Sequence, residues 1–94
     1  MRAGMEEKFV GKQVLYSGVV STLLVHDWAE WVAVDGDGYM FEYDSKPVEC
    51  RTIRQWYTEG WSELIGNVNN LKLDDSVPEL HWIKTRRKLR DVSR

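Results

Sequence analysis

The segment from Glu30 to Tyr43 constrains the fold more than any other. Glu30 to Val34 reads as a short strand, Asp35-Gly36-Asp37-Gly38 follows, and Tyr39-Met40-Phe41-Glu42-Tyr43 reads as a second strand. The glycines allow positive φ at no steric cost, and β-branched and aromatic residues favour the pleated arms. Strand, Asp-Gly turn, strand predicts a β-hairpin. Its second arm alternates, with Tyr39, Phe41 and Tyr43 on one face and Met40 and Glu42 on the other.

The surrounding pattern is read in the same way. Gln13 to Val25 predicts one strand with a bend or bulge at Gly18. Asp44 to Pro47 breaks the second hairpin arm. From Val48 to Val68 two readings compete. Ile53, Trp56, Tyr57, Trp61 and Leu64 recur at helical spacing, whereas Gly60 interrupts that period and Trp56-Tyr57-Thr58 favours a strand. The preferred reading is a strand pair turning near Glu59-Gly60. Ser76-Val77-Pro78-Glu79 has the spacing of a capping box and predicts a helix over 77–90 with Leu80 and Ile83 on one face. Its basic end suits the negative pole of a helix dipole. The expected class is α+β, a small antiparallel sheet of hairpin-meander type with one C-terminal helix. A single domain is expected over 1–94, with 1–12 and 90–94 flexible.

A chain of 94 residues has room for one core. No apolar run approaches the roughly 18 residues of a membrane span, so no membrane association is expected. The first eleven residues carry charges and no apolar stretch, so a secretory signal is not expected either. Cys50 is the sole cysteine, which excludes an intramolecular disulfide and fits a reducing, intracellular location. It sits beside Glu49 and Arg51 with no neighbouring histidine, and an inert thiol is expected.

The net charge of −2 conceals two opposed regions. Asp27, Glu30, Asp35, Asp37, Glu42, Asp44 and Glu49 face only Lys46 across residues 27–49, whereas Lys84, Arg86, Arg87, Lys88, Arg90 and Arg94 face only Asp91 at the C-terminal end. Such asymmetry suggests two surfaces with different partners. Trp28 and Trp31 lie within the acidic stretch, and tryptophan is a favoured interface anchor. On a strand they would face opposite sides, leaving one exposed.

Catalysis finds no constellation. The Asp35–Gly38 turn fails as a calcium loop, because Ala33 would occupy the first ligand position and the flanks read as strands. His26-Asp27 resembles one dyad of a metal phosphohydrolase, but only His81 and Cys50 could join it, which is too few for a zinc set. Both histidines are expected to be partly exposed and ordinary. Ser62 lies outside any nucleophile motif, and no phosphate-cradling glycine loop is present. The expectation is a protein that is not an enzyme and takes no metal or cofactor. Trp56 near Arg51 and Arg54, and Trp82 near Lys84 and Arg86, could stack nucleobases.

The run Trp28 to Pro47, with Trp-Val-Ala-Val-Asp-Gly-Asp-Gly, an aromatic strand, Lys46-Pro47 and a later tryptophan at 56 or 61, resembles a pattern of short tailed-phage and prophage proteins. It spans about a third of the chain and marks a hairpin and an origin, not an activity. The resemblance implies a phage accessory protein acting in the host cytoplasm. The expected function is binding and inhibition of a host protein or ribonucleoprotein complex, of the anti-defence or anti-CRISPR kind. The expected contact set is Asp27, Trp28, Glu30, Trp31, Asp35, Asp37 and Asp44, with Lys84, Arg86, Arg87, Lys88 and Arg90 as a second, basic surface. A homo-oligomer sequestering a nucleotide signal, or a minor virion or DNA-binding protein, are the alternatives.

Overall fold

The computed structural model describes residues 7–71, 77 and 80–92. Nine strands dominate it: β1 (Phe9–Tyr16), β2 (Val19–His26), β3 (Trp31–Val34), β4 (Tyr39–Tyr43), β5 (Val48–Cys50), β6 (Gln55–Tyr57), β7 (Ser62–Asn67), β8 (Arg87–Lys88) and β9 (Arg90–Asp91). They form one sheet ordered β2-β1-β9, a second ordered β7-β4-β3-β8, and the small β5-β6 hairpin. The class is therefore β, and the α+β expectation is corrected.

The helix expected over 77–90 does not run through its described residues 80–90, and that expectation is corrected. A 3-10 turn, Trp82–Lys84, stands in the middle of that span, and β8 and β9 follow it. Two capping-box positions, Ser76 and Glu79, lie outside the described residues. Helix-forming Lys, Arg and Leu lose here to tertiary pairing, since local propensity is a weak prior. β8 pairs with β3, Leu89 N–H donates to the Glu30 carbonyl at 2.8 Å, and β9 pairs with β1. Residues 87–91 thereby bridge both sheets, with Leu89 in the core between them.

The span Gln13 to Val25 is two strands, not one. Ser17 and Gly18 both hold positive φ, 48° and 83°, in a two-residue turn that reverses the chain. β1 and β2 then pair over their full length, Phe9 opposite His26 through Tyr16 opposite Val19. Residues 9–12, expected to be flexible, form half of β1, and Arg90-Asp91 form β9. The predicted hairpin is present as β3 and β4, in register Trp31↔Tyr43 to Val34↔Met40. Residues 48–68 are strands, with a bend at Glu59-Gly60, but β6 pairs with β5 and β7 with β4.

The second sheet is a middle layer. Val32, Val34 and Met40 meet Val14, Tyr16, Leu23 and Val25 of the first sheet, while Ala33 and Tyr43 meet Trp56 and Trp82 on the opposite side. Burial on both faces explains why β3 reads as an unbroken apolar run. The β5-β6 hairpin is fastened to the Asp35–Gly38 turn: Trp56 N–H donates to Asp35 Oδ1 at 2.9 Å, Trp56 Nε1–H to the Val34 carbonyl at 2.9 Å, and Gly36 N–H to the Arg54 carbonyl at 2.8 Å. A Cβ at Gly36 would lie 2.7 Å from Arg54 Nε, so this approach requires glycine.

Candidate functional site

The acidic contact set is dispersed by the fold. Asp35 is 6% exposed and accepts the Trp56 N–H, so it is a structural acceptor within the turn. Burial pushes its carboxyl above the usual range, the Trp56 hydrogen bond opposes this, and Asp37 adds to the rise. Asp44 is half-buried, and its Oδ1 accepts from Trp61 N–H at 3.0 Å and Ser45 Oγ at 3.2 Å. Exposed Glu30 lies 3.8 Å from Lys12 and 3.9 Å from Lys88. Trp31 is flanked by cations, with Lys46 Nζ 5.8 Å and Lys88 Nζ 5.3 Å from the ring centroid. Asp27 and Asp37 are exposed, and Asp37 Oδ1 accepts the Tyr39 N–H at 3.2 Å within its own turn. Trp28 lies in the β2–β3 turn, so neither it nor Trp31 is fully exposed or fully buried.

The basic set is likewise not one surface. Arg86 sits over the Trp56 ring at 5.5 Å and donates to the Pro47 carbonyl at 3.1 Å. Arg87 sits over the Tyr16 ring at 4.7 Å and donates to the carbonyls of Leu15, Lys84 and Arg86. Lys88 stacks on Trp31, Arg90 pairs with Gln13 across β9 and β1, and Lys84 is exposed. Because β8 lies beside β3, the late cation Lys88 meets the early acid Glu30 at 3.9 Å, while Arg86 and Arg87 are taken up by carbonyls and aromatic rings.

Two buried ionic groups escaped the sequence reading. Lys12, 5% exposed, donates to the carbonyls of Ala29 at 2.5 Å and Asp27 at 3.1 Å. His26 is buried, not partly exposed, and Glu42 Oε1 accepts both its Nδ1–H at 2.7 Å and its N–H at 2.9 Å. Burial acts to lower the His26 pKa, but the Glu42 hydrogen bond and charge, with Glu7 Oε1 3.5 Å from Nε2, outweigh it and hold the imidazole above its ordinary value. Phe9 covers the ring at 4.4 Å, Trp28 stacks on it at 4.9 Å, and Trp61 meets Trp28 edge-on at 6.1 Å. Glu42 falls on the non-aromatic side of β4, and no local spacing ties it to His26.

The outer face of β1 and β2 is the largest departure from expectation. Leu15 stands opposite Val20, Gln13 opposite Thr22, Gly11 opposite Leu24, and Phe9 opposite His26. Leu24 is 69% exposed, Val20 55% and Phe9 50%, and Leu15 and Val92 are also exposed. A Cβ at Gly11 would lie 3.2 Å from Thr22 Cγ2 and 3.9 Å from Val92 Cγ2, which places Val92 on this same face. The signal was present in the sequence: Val19-Val20-Ser21-Thr22-Leu23-Leu24-Val25 is apolar at both parities. Such a run implies cover on both faces, and the described residues of this chain cover one.

A hollow of about 250 Å³ between the Asp35–Gly38 turn and the 3-10 turn is lined by Asp35, Arg54, His81, Trp82 and Thr85 among others. Gly36 and Arg54 also line a second hollow of about 210 Å³. Arg54 holds a left-handed φ of 56°. Among the described residues no group of three or more His, Cys, Asp or Glu side chains could hold a metal ion, and no helix is long and apolar enough to cross a membrane. Comparison with family models, with curated proteins and with solved structures finds no match for this chain.

Proposed function

We propose that this chain is a non-enzymatic accessory protein of phage origin that binds and inhibits a host macromolecule, and that its contact surface is the outer face of β1 and β2. One observation carries the reading. β3 carries apolar residues on both of its faces and so does β2, interrupted there by Ser21 and Thr22; β3 is covered on both sides, but the described residues leave Val20 and Leu24 of β2 in solvent. Monomers rarely leave such apolar patches uncovered unless they bind something there. The aromatic group Phe9, Trp28 and Trp61 around His26 extends this face with anchors of the favoured type. The acidic hairpin is demoted, since Asp35, Glu30 and Asp44 already have partners within the chain.

The test is affinity capture from nuclease-treated bacterial host lysate, using the wild type, Leu24→Asp and Asp37→Lys. A stoichiometric protein that is retained by Asp37→Lys and lost by Leu24→Asp supports the reading. Retention by Leu24→Asp with loss by Asp37→Lys returns the contact to the hairpin and overturns it.

The hollow beside Arg54 favours a second reading, capture of a nucleotide signal with Arg54 on phosphate and Trp82 beside the base. Asp35 and Asp37 around the same hollows oppose a polyanion, which ranks this reading lower. Unchanged tryptophan fluorescence across a panel of cyclic and linear nucleotides removes it.

A further inference from the structure

β2 lies at an edge of its sheet, in the order β2-β1-β9. The β1–β2 turn has two residues, so Tyr16 and Val19 form the hydrogen-bonded pair beside it, and such pairs recur at every second position. Val19, Ser21, Leu23 and Val25 therefore face β1 with their main-chain groups, and Val20, Thr22 and Leu24 turn theirs outward. The bonds at the far end agree with this parity. Asp27 N–H donates to the Lys8 carbonyl at 2.9 Å, whereas His26 N–H points away from β1 and donates to Glu42 Oε1. Glu42 thus closes the last outward position. The three before it meet no main-chain partner among the described residues.

Edge strands are normally blunted by charge, proline or a bulge. β7, an edge strand of the second sheet, follows that rule: it carries Glu63 and shifts register at Met40/Phe41. β2 does not. Val19 to Val25 holds no charge and no proline, and its register with β1 is unbroken.

We infer that β2 is the self-association strand of this protein, pairing antiparallel with β2 of a second copy about a twofold axis at Thr22. A twofold contact sets each residue against its mirror position. Val20 then faces the partner's Leu24, Leu24 faces the partner's Val20, and Thr22 faces its own copy. These are favourable cross-strand pairs, and no like charges are opposed. An edge without charge satisfies its own copy and offers nothing to select a charged foreign strand. Farther along, His26 falls opposite the partner's Gly18, where even an added Cβ would meet nothing within 4 Å. Three outward residues on each copy supply about six main-chain hydrogen bonds. The product is a continuous sheet in which two apolar outer faces become one surface. The inference concerns the edge of β2, not its face, and is tested on purified protein without any host partner.

The test is sedimentation equilibrium of the full chain over a range of concentrations. The wild type is expected to move from 11.0 kDa toward twice that mass. Thr22→Pro removes a donor that faces the edge and no bond to β1, so the fold survives and the dimer is lost. Thr22→Glu and Thr22→Lys each place like charges across the axis and should weaken association at least about tenfold. An equimolar mixture of the two should restore it as a heterodimer. Tryptophan near-UV circular dichroism checks that each variant is folded. A wild type that stays monomeric at several hundred micromolar overturns the inference. So does dimerisation of Thr22→Glu alone at wild-type strength, which would place the contact on another surface.

Discussion

Glu42→Gln tests the buried ionic pair most sharply. Glu42 is 3% exposed, and its Oε1 accepts two hydrogen bonds from His26 at 2.7 and 2.9 Å. The amide keeps the shape and one acceptor but removes the charge. A hydrogen bond to a charged group contributes roughly 1.5–3 kcal/mol, and removing one partner of a buried pair costs up to about 3–5 kcal/mol. His26 can shed its proton in the variant, which limits the loss to about 2 kcal/mol near pH 6. At roughly 4–8 °C per kcal/mol for a domain of this size, the melting temperature falls by on the order of 10 °C. The sign with pH is fixed. The folded His26 pKa lies above its ordinary value, so the folded state binds more protons there. That contribution is complete below about pH 6.5 and is lost as pH rises through the folded pKa. Urea melts at a series of pH values should show wild-type stability falling through this window, with a flatter profile in Glu42→Gln and a gap that narrows toward high pH. A variant with the wild-type slope, or a cost under about 0.5 kcal/mol at pH 6, would refute the pairing.

Other perturbations separate structural residues from contact residues. Thr85→Val should cost about 1–3 kcal/mol in urea melts, because Thr85 Oγ1 accepts the buried Val34 N–H at 2.8 Å and the valine leaves it unpaired. Asp35→Asn should fold at pH 7 within about 1 kcal/mol of wild type, since the amide oxygen can still accept from Trp56. The raised folded pKa of Asp35 means its ionised form is disfavoured, so its contribution to stability grows as pH falls through that pKa, and Asn should abolish this acid-side gain in melts between pH 3 and pH 6. Gly60→Ala should destabilise the β6–β7 connection, because a Cβ there collides with the Asp44 carboxylate that accepts the Trp61 N–H; unchanged thermal melting would contradict that packing.

The hairpin of β3 and β4 was legible because its turn chemistry is local: two glycines between two apolar arms. The β1–β2 reversal was not, since Ser17 carries a positive φ that its residue type does not advertise. The C-terminal segment failed for a different reason. Its helix-forming residues are drafted into β8 and β9 by the facing edges of β3 and β1, and no window of sequence records that vacancy. The contact residues failed for the same cause. Asp35, Glu30 and Arg87 look like a charged surface until pairing across 21 to 72 positions assigns each a partner. The doubly apolar β2 was visible throughout, but its meaning depends on which face the rest of the chain covers.

Hydroxyl-radical footprinting of the captured complex against the free protein tests the central claim most directly, because it reads solvent access at side chains whether or not β2 is paired. The account predicts protection at Phe9, Leu24 and Trp61, with Tyr39 and Tyr57, which are exposed elsewhere, reacting as before. Protection at Tyr39 and Tyr57 with full reactivity at Phe9 and Leu24 would contradict it.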